Sequence, residues 1–189
     1  MIKTMTHEEF KSILEKPYGS YYTGRWAYIS EVIGLIEEIK PKSVLELGPS
    51  MHPVVKESDI IIKPGDDKWG EPENWEGSKY YHDAVVTPWA KKEKSYNLFL
   101  ALQVWEHLDN KQALVFREAR RVSKHMILSF PYKWDCLNEG EQYRSHHMID
   151  EEIIEDWTMG IKPDKVINIP RTGERTSKGP RIIYYWKNY

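Results

Sequence analysis

Three histidines stand at positions of this 189-residue chain where acid–base chemistry is feasible. His107 follows Glu106 at the end of an apolar segment, and His146 and His147 precede Asp150, which begins a helical pattern. A neutral imidazole, with an unperturbed pKa near ~6.5, can take a proton from an acceptor group at neutral pH. His107 is therefore the first candidate for a general base, and the two later histidines are the second. The alternative for His107 is a structural role in which it caps the following helix.

The spacing of apolar residues predicts strands that alternate with helices. The predicted strands are 43–47, 60–62, 79–82, 96–102, 125–130, 166–169 and 181–186. Helices are predicted to begin at Thr6, to run from about Trp26 to Pro41, to cover 111–123 and to follow Asp150. This order predicts an α/β three-layer sandwich with a mostly parallel seven-stranded sheet, and its last two strands form an antiparallel hairpin.

Ligands of such sheets bind at the carboxyl ends of the strands, near the point where the strand order reverses. This rule selects a candidate rim that comprises 46–52, 62–67, Asp83, 103–107 and 131–134. The histidine at 107 lies on this rim.

The composition narrows the classes of partner. Lys and Arg total 27 against 29 Asp and Glu, for a net charge of -2, so no overall basic field attracts nucleic acid. The single cysteine, Cys136, excludes an internal disulfide and a multi-cysteine zinc site. No apolar run is long enough to span a bilayer, and the N-terminal residues lack the apolar core of a signal peptide. We expect a soluble, cytoplasmic protein without a membrane partner; its oligomeric state stays open.

Three sequence blocks resemble those of class I S-adenosylmethionine-dependent methyltransferases. The string VLELGP at 44–49 resembles the first motif of that family, and YNLFLALQVWEHL at 96–108 is similar to its fourth-strand block. EARRV at 118–122, followed by ILSFP at 127–131, resembles the next helix and strand. The blocks agree in order and spacing over residues 40–135. The resemblance implies a Rossmann-like fold, S-adenosyl-L-methionine as the cofactor, and methyl transfer. The sequence does not identify the acceptor, which we expect to be a small molecule rather than a nucleic acid.

The resemblance also implies a cofactor-binding role for eight residues, namely Arg25, Glu46, Gly48, Pro49, Ser50, Asp83, Ala84 and Gln103. Gly48 lets the backbone approach the ligand closely, and Glu46 attracts the sulfonium or ammonium group. Asp83 accepts from the adenine amino group beside the small Ala84, and Arg25 pairs with the methionine carboxylate. Each of three residues also has a purely structural alternative. Glu46 then accepts hydrogen bonds from backbone donors, Asp83 forms an Asx turn, and Arg25 is a surface charge.

The chain departs from the family pattern in ways that keep other functions open. The loop after the first strand usually carries two or three glycines in this family, and here only Gly48 is present. The family also places an acid at the end of the second strand, where it accepts the ribose hydroxyls. Here Ile62 or Lys63 takes that place, unless Asp66 or Asp67 of the following loop supplies the carboxylate. A non-catalytic module that binds the cofactor, or has lost it, is therefore one alternative. An oxidoreductase is disfavoured because no Gly-x-Gly-x-x-Gly follows the first strand.

A second alternative is a metal-assisted methyltransferase that acts on RNA 3′ ends. Some family members hold a divalent metal with a Glu-x-x-Glu-His string and a later histidine. Here Gln103 replaces the first carboxylate of that string, and His146 or His147 is the later histidine. Because the lost charge weakens the binding of a hard cation, we predict no metal.

We expect one domain over 1–189. In this division, 1–40 forms N-terminal helices that fold over the ligand, 41–135 forms the cofactor-binding core, and 136–189 forms the substrate side. The acceptor is then recognised by loops in 63–77, 132–148 and 170–180. Four basic residues of the last region either meet an acidic group or form a solvated loop: Arg171, Arg175, Lys178 and Arg181.

Overall fold

The computed structural model describes residues 2–49, 51–64, 72, 74–108, 110–170 and 179–188, without the side chains of 142 and 143. The helices in this part of the chain are α1 (His7–Leu14), α2 (Trp26–Ile39), α3 (Gln112–Val122) and α4 (Glu151–Trp157). The strands are β1 (Val44–Leu47), β2 (Asp59–Ile62), β3 (Lys79–Tyr81), β4 (Tyr96–Leu102), β5 (Ser123–Pro131), β6 (Lys165–Ile169) and β7 (Arg181–Lys187).

The strands form one seven-stranded sheet in the order β3-β2-β1-β4-β5-β7-β6. Neighbouring strands from β3 to β5 are parallel, whereas β7 is antiparallel to both β5 and β6. The predicted α/β fold with a mostly parallel sheet and a closing antiparallel hairpin is confirmed. Leu47 aligns with Ile61 of β2 and Ala101 of β4, so these strands end at the same edge of the sheet.

Alternating side chains of the strands build a core on each face of the sheet. Leu45 and Leu47 belong to the core under α3, which also contains Trp105 and Phe116. Val44 belongs to the opposite core, which lies under α1 and α2. The period of two therefore directs Glu46 toward the α1 and α2 layer, which places a carboxyl group beneath the N-terminal segment.

The helix boundaries follow the predicted signals. The backbone N–H of Thr6 donates to Glu9 Oε2 at 2.8 Å, and Glu9 N–H donates to Thr6 Oγ1 at 3.2 Å, which completes the capping box. Asp150 Oδ1 accepts from Ile153 N–H at 3.0 Å at the start of α4. After α2, Lys40 adopts a φ of 51° and the chain continues into Pro41.

Most strand bounds differ from the predicted ones by a single residue, and the larger differences are at β5 and in three short 3₁₀ helices. Strand β5 begins at Ser123, directly after α3, and it includes Pro131, which was expected to stop it. Because Pro131 is the last residue of the strand, its missing N–H removes no interior hydrogen bond. Short 3₁₀ helices at Gly19–Tyr22, Trp105–His107 and Glu141–His146 were not predicted, since such brief turns carry no apolar period.

No helix within the described ranges is both long and apolar enough to span a membrane.

Candidate functional site

A cavity opens at the carboxyl end of β1, between the N-terminal helices and the end of β4. Its empty space, with the open mouth included, is about 560 Å³. Its polar lining includes Arg25, Glu46 and Gln103, and its aromatic lining includes Tyr21 and Tyr22. The N-terminal segment therefore lies over the end of the first strand.

The turn after β1 brings backbone to the cavity wall. Gly48 and Pro49 both line the cavity, and Gly48 has a φ of 59°, in the left-handed region that favours glycine. A Cβ atom on Gly48 would lie 3.2 Å from Cγ1 of Val104, which is tighter than an ordinary contact. A side chain here would thus strain the backbone and crowd the end of β4. Ser50, the next predicted cofactor residue, lies outside the described residues.

Glu46 places a nearly inaccessible carboxyl group in this cavity. Its Oε1 accepts from the backbone N–H of Val54 at 3.3 Å, and its Oε2 accepts from Ser58 Oγ at 3.3 Å. Burial raises the pKa of Glu46 to about 7, although these hydrogen bonds oppose the shift. Glu46 therefore changes its charge near neutral pH, at the place where a cationic ligand group is expected.

Arg25 contributes a positive charge to the same cavity. Its Nε donates to the carbonyl oxygen of Tyr21 at 3.1 Å, and its guanidinium carbon lies 4.0 Å from the centre of the Tyr21 ring. No ion pair joins Arg25 to a carboxylate of the described residues. The cation–π contact thus orients a guanidinium group that retains capacity for an anion.

Arg181, which the sequence grouped with three other basic residues near the chain's end, contacts Gln103 of the cavity wall. It is buried at the start of β7, where its Nε donates to Gln103 Oε1 at 3.1 Å. Another nitrogen of its guanidinium group donates to the carbonyl oxygen of Gly24 at 3.2 Å. Gln103 Nε2 in turn donates to Ser129 Oγ at 3.2 Å, so both ends of the Gln103 amide are engaged.

The sequence did contain a signal for this position of Arg181. The residue begins a predicted antiparallel strand, and such a strand starts beside the end of β5, at the rim where the ligand is expected. The other three basic residues of this group, Arg171, Arg175 and Lys178, lie outside the described part of the chain.

The predicted adenine residues lie beside β2 and β3 and do not line the cavity. Asp83 Oδ2 is 3.1 Å from Lys63 Nζ, and its Oδ1 accepts from Val85 N–H at 3.3 Å, as in an Asx turn. Although partial burial opposes the shift, the hydrogen bonds from Lys63 and Val85 keep the pKa of Asp83 below its usual value. Ala84 is buried, and its carbonyl accepts from Trp89 Nε1 at 3.0 Å. The alternative acids Asp66 and Asp67 lie outside the described residues.

Two of the 3₁₀ helices bring His107 and His146 together. Their ring centres are 4.9 Å apart, and Ser145 Oγ lies 3.2 Å from His107 Nδ1. His146 Nε2 is 3.6 Å from Oε1 of the buried Glu106. His147 has other neighbours, because its Nδ1 accepts from the backbone N–H of Cys136 at 3.3 Å and lies 3.6 Å from Asp135.

Glu106 lies close to His146, and it is near enough to Arg25 and Arg181 for their charges to affect its pKa. Burial raises the pKa of Glu106 to about 8, and the positive charges of Arg25 and Arg181 partly oppose that shift. The acid, the two histidines and the two arginines therefore belong to one electrostatic neighbourhood at the carboxyl edge of the sheet.

No protein-family model matches the chain, and no curated protein sequence matches it. Solved structures do resemble its fold. The N-methyltransferase NodS from Bradyrhizobium japonicum WM9, in complex with S-adenosyl-L-homocysteine, superposes with a TM-score of 0.66 at 11% identity over 96% of this chain and 97% of that one. A possible histamine N-methyltransferase from Thermotoga maritima gives 0.60 at 15% identity over 98% and 100%. The methyltransferase domain of a bacterial Hen1 protein gives 0.60 at 13% identity over 87% and 100%. The chain has the fold of class I S-adenosylmethionine-dependent methyltransferases.

In this methyltransferase fold, the cavity at the end of β1 contains five of the eight predicted cofactor residues: Arg25, Glu46, Gly48, Pro49 and Gln103. A carboxyl group and a guanidinium group in one cavity are complementary to the ammonium and carboxylate groups of an amino acid. Asp83 and Ala84 form a separate group at β3, and their cofactor role stays a prediction.

Proposed function

We propose that this protein transfers a methyl group from S-adenosylmethionine to a small-molecule acceptor. The observation that carries the proposal is the cavity at the end of β1, in which Glu46 and Arg25 present opposite charges. These groups complement the ammonium and carboxylate groups of the methionine end. The methyltransferase fold and the S-adenosyl-L-homocysteine in the NodS structure support the same ligand.

The bound cofactor supplies the activated methyl group, so the protein's task is to align the acceptor and exclude water. Tyr21 and Tyr22 cover the cavity from the N-terminal side. His107 follows β4, and the 3₁₀ helix Glu141–His146 brings the ring of His146 to 4.9 Å from that of His107. An acceptor hydroxyl or amine would lose its proton at this pair of imidazoles. We propose that these imidazoles act on the acceptor and that His147 does not.

The acceptor is proposed to be small because the chain lacks an overall basic field that would attract nucleic acid. Two of the structural neighbours are described as N-methyltransferases, one of them for histamine. Low-molecular-weight amines and hydroxylated compounds are therefore the first acceptors to screen.

Calorimetry with S-adenosylmethionine and S-adenosylhomocysteine tests the proposal directly. Arg25→Leu is expected to weaken S-adenosylhomocysteine binding by about 10- to 100-fold, the effect of losing a charge-assisted hydrogen bond. The same variant should bind 5′-methylthioadenosine, which lacks the amino-acid group, within about twofold of the parent. Arg144→Leu is the matched control, because Arg144 is exposed and pairs only loosely with Glu141 at 3.8 Å. The absence of any binding heat at millimolar ligand would exclude the proposed cofactor.

Cofactor binding is also expected to depend on pH through Glu46. Below a pKa of about 7 this carboxyl group is mostly neutral, and above it the group carries the charge that attracts the ligand's cationic end. S-Adenosylhomocysteine should therefore bind several-fold more tightly at pH 8 than at pH 6, up to about tenfold per pH unit below the pKa. Glu46→Gln should bind weakly with a flatter profile. Identical profiles for the two proteins would show that Glu46 does not cause the pH dependence.

A cofactor-binding module without catalysis is the second candidate. It is favoured by the Lys63–Asp83 ion pair at the ends of β2 and β3, where family members place an acid for the ribose. Such a module would bind the ligand with normal affinity and transfer no methyl group to any acceptor screened.

A further inference from the structure

A second cavity opens at the opposite edge of the sheet, where three neighbouring parallel strands begin. Val44 of β1 aligns with Leu98 of β4, and Leu98 aligns with His125 of β5. The residues just before this row therefore lie together at the amino edge of the sheet. The polar lining of this cavity, which we call the amino-edge cavity, consists of Lys40, Lys42, Asn97, Lys124 and His125.

The amino-edge cavity has a local excess of positive charge. Lys40, Lys42 and Lys124 are exposed, and none of them forms an ion pair with a carboxylate in the described part of the chain. No carboxylate of the described residues lines the cavity. Glu38, at the end of α2, is near in sequence but pairs with Lys165 at 3.4 Å. Three lysines therefore face a cavity whose described lining offers them no anion.

Two side chains add hydrogen-bonding groups to these charges. Asn97 Oδ1 accepts from the backbone N–H of Lys42 at 3.0 Å, and no described residue accepts from the amide nitrogen of Asn97. His125 Nδ1 lies 2.8 Å from the hydroxyl oxygen of Tyr185, and no described residue bonds to its Nε2. An amide N–H group and one imidazole nitrogen thus remain for a ligand.

The lowered pKa of His125 is consistent with this excess of positive charge. Burial, together with the positive charges of Lys187 and Lys124, holds the pKa of His125 below its usual value, although Asp164 opposes the shift. Lys187 is the residue opposite His125 in the β5–β7 pair. An anion bound beside the ring would favour the charged imidazole and raise this pKa.

We propose that the amino-edge cavity binds a polyphosphate group. Lysine binds phosphate as a point charge, whereas a carboxylate is typically held by the planar fork of arginine. No arginine of the described residues lines this cavity. One phosphate group carries about −1.5 to −2 charges at neutral pH, which is less than three lysines supply. A chain of two or three phosphates, as in a nucleotide or an inorganic polyphosphate, therefore complements the cavity better.

The polyphosphate site does not rest on the proposed methyl transfer. Asn97 of the amino-edge cavity and Gln103 of the cavity at β1 lie at opposite ends of β4, which separates them by roughly 20 Å along the strand. A polyphosphate and S-adenosylhomocysteine should therefore bind at the same time. Calorimetry of each ligand in the presence of the other distinguishes the failure of one proposal from the failure of the other.

Calorimetry with inorganic tripolyphosphate tests the site on the full-length protein. The parent should bind one ion per chain, with an affinity that falls as salt is raised. A variant that combines Lys40→Gln, Lys42→Gln and Lys124→Gln should bind about 5- to 100-fold more weakly at the same ionic strength, because each exposed ion pair contributes up to about fivefold. Its affinity for S-adenosylhomocysteine should equal that of the parent.

The matched control combines Lys11→Gln, Lys111→Gln and Lys133→Gln. These lysines are exposed and do not line the amino-edge cavity, so the control removes the same net charge from other parts of the surface. It should bind tripolyphosphate within about twofold of the parent, because distant exposed charges are screened by salt. Cytidine triphosphate distinguishes the source of the phosphates. Equal affinity would mean that the phosphate chain alone is recognised, and tighter binding would add the nucleoside to the ligand.

An NMR titration of the parent provides a test that needs no variant. Tripolyphosphate should shift the ring resonances of His125 and leave those of His7, which is exposed on α1, in place. Three results would overturn the proposal: no saturable heat with tripolyphosphate, equal losses in the two triple variants, or unmoved His125 resonances. An oligonucleotide that binds more tightly than tripolyphosphate, with an affinity that grows with its length, would replace the polyphosphate site with a nucleic-acid surface.

Discussion

Methyl transfer by the His107→Ala variant is expected to be slower than that of the parent by about 100-fold or more, the usual consequence of losing a group that handles the acceptor proton. Cofactor affinity should change by less than about twofold, since His107 does not line the cavity at β1. Binding and turnover would then be separated in one variant. The measurement is the initial rate with the best acceptor from the screen, together with calorimetry of the cofactor.

Glu106→Gln and a chelator distinguish how His107 acts. If the reaction uses a metal ion held by Glu106 and His107, Glu106→Gln is as severe as His107→Ala, and the chelator abolishes activity in the parent. If His107 works alone as a base, the chelator has no effect and Glu106→Gln is milder. His125→Ala, at the opposite end of the sheet against Tyr185, should keep the parent rate. A full rate in His107→Ala would assign this histidine a structural role.

The fold could be predicted because its signals are local. The Thr6–Glu9 capping box, the Gly48–Pro49 turn after an apolar strand, and the strand pair before and after 170–180 each depend on neighbours in sequence. Their order then restricts the topology, since parallel strands need long connections and a terminal hairpin does not. The end of β5 was misjudged by one residue because a proline is unfavourable inside a strand but acceptable at its end.

The candidate site was only partly predictable, because its contacts join distant segments. Arg181 meets Gln103 and Gly24, which are 78 and 157 residues away in sequence, and only the strand order brings them together. The sequence likewise could not separate His146 from His147. The 3₁₀ helix at Glu141–His146 decides that question, because its last residue faces Glu106 while the next residue turns toward Cys136.

Gly48→Ala is expected to weaken S-adenosylmethionine binding by about tenfold or more and to destabilise the protein by about 1–2 kcal/mol, because a Cβ atom at a φ of 59° forces a left-handed conformation. The added atom would also lie 3.2 Å from Val104 Cγ1, at the turn that lines the cavity. Calorimetry and thermal unfolding measure the two effects.

Gly34→Ala is the matched control, since Gly34 lies within α2 and a Cβ atom there meets nothing within 4 Å. The identical substitution should therefore act in the opposite direction on stability, with a gain of about 0.5–1 kcal/mol from helix propensity. It should leave cofactor affinity unchanged. A Gly48→Ala protein that loses stability but binds as tightly as the parent would show that the ligand does not approach this turn. The cofactor would then have to bind elsewhere on the rim, with the Asp83 region at β3 as the next place to test.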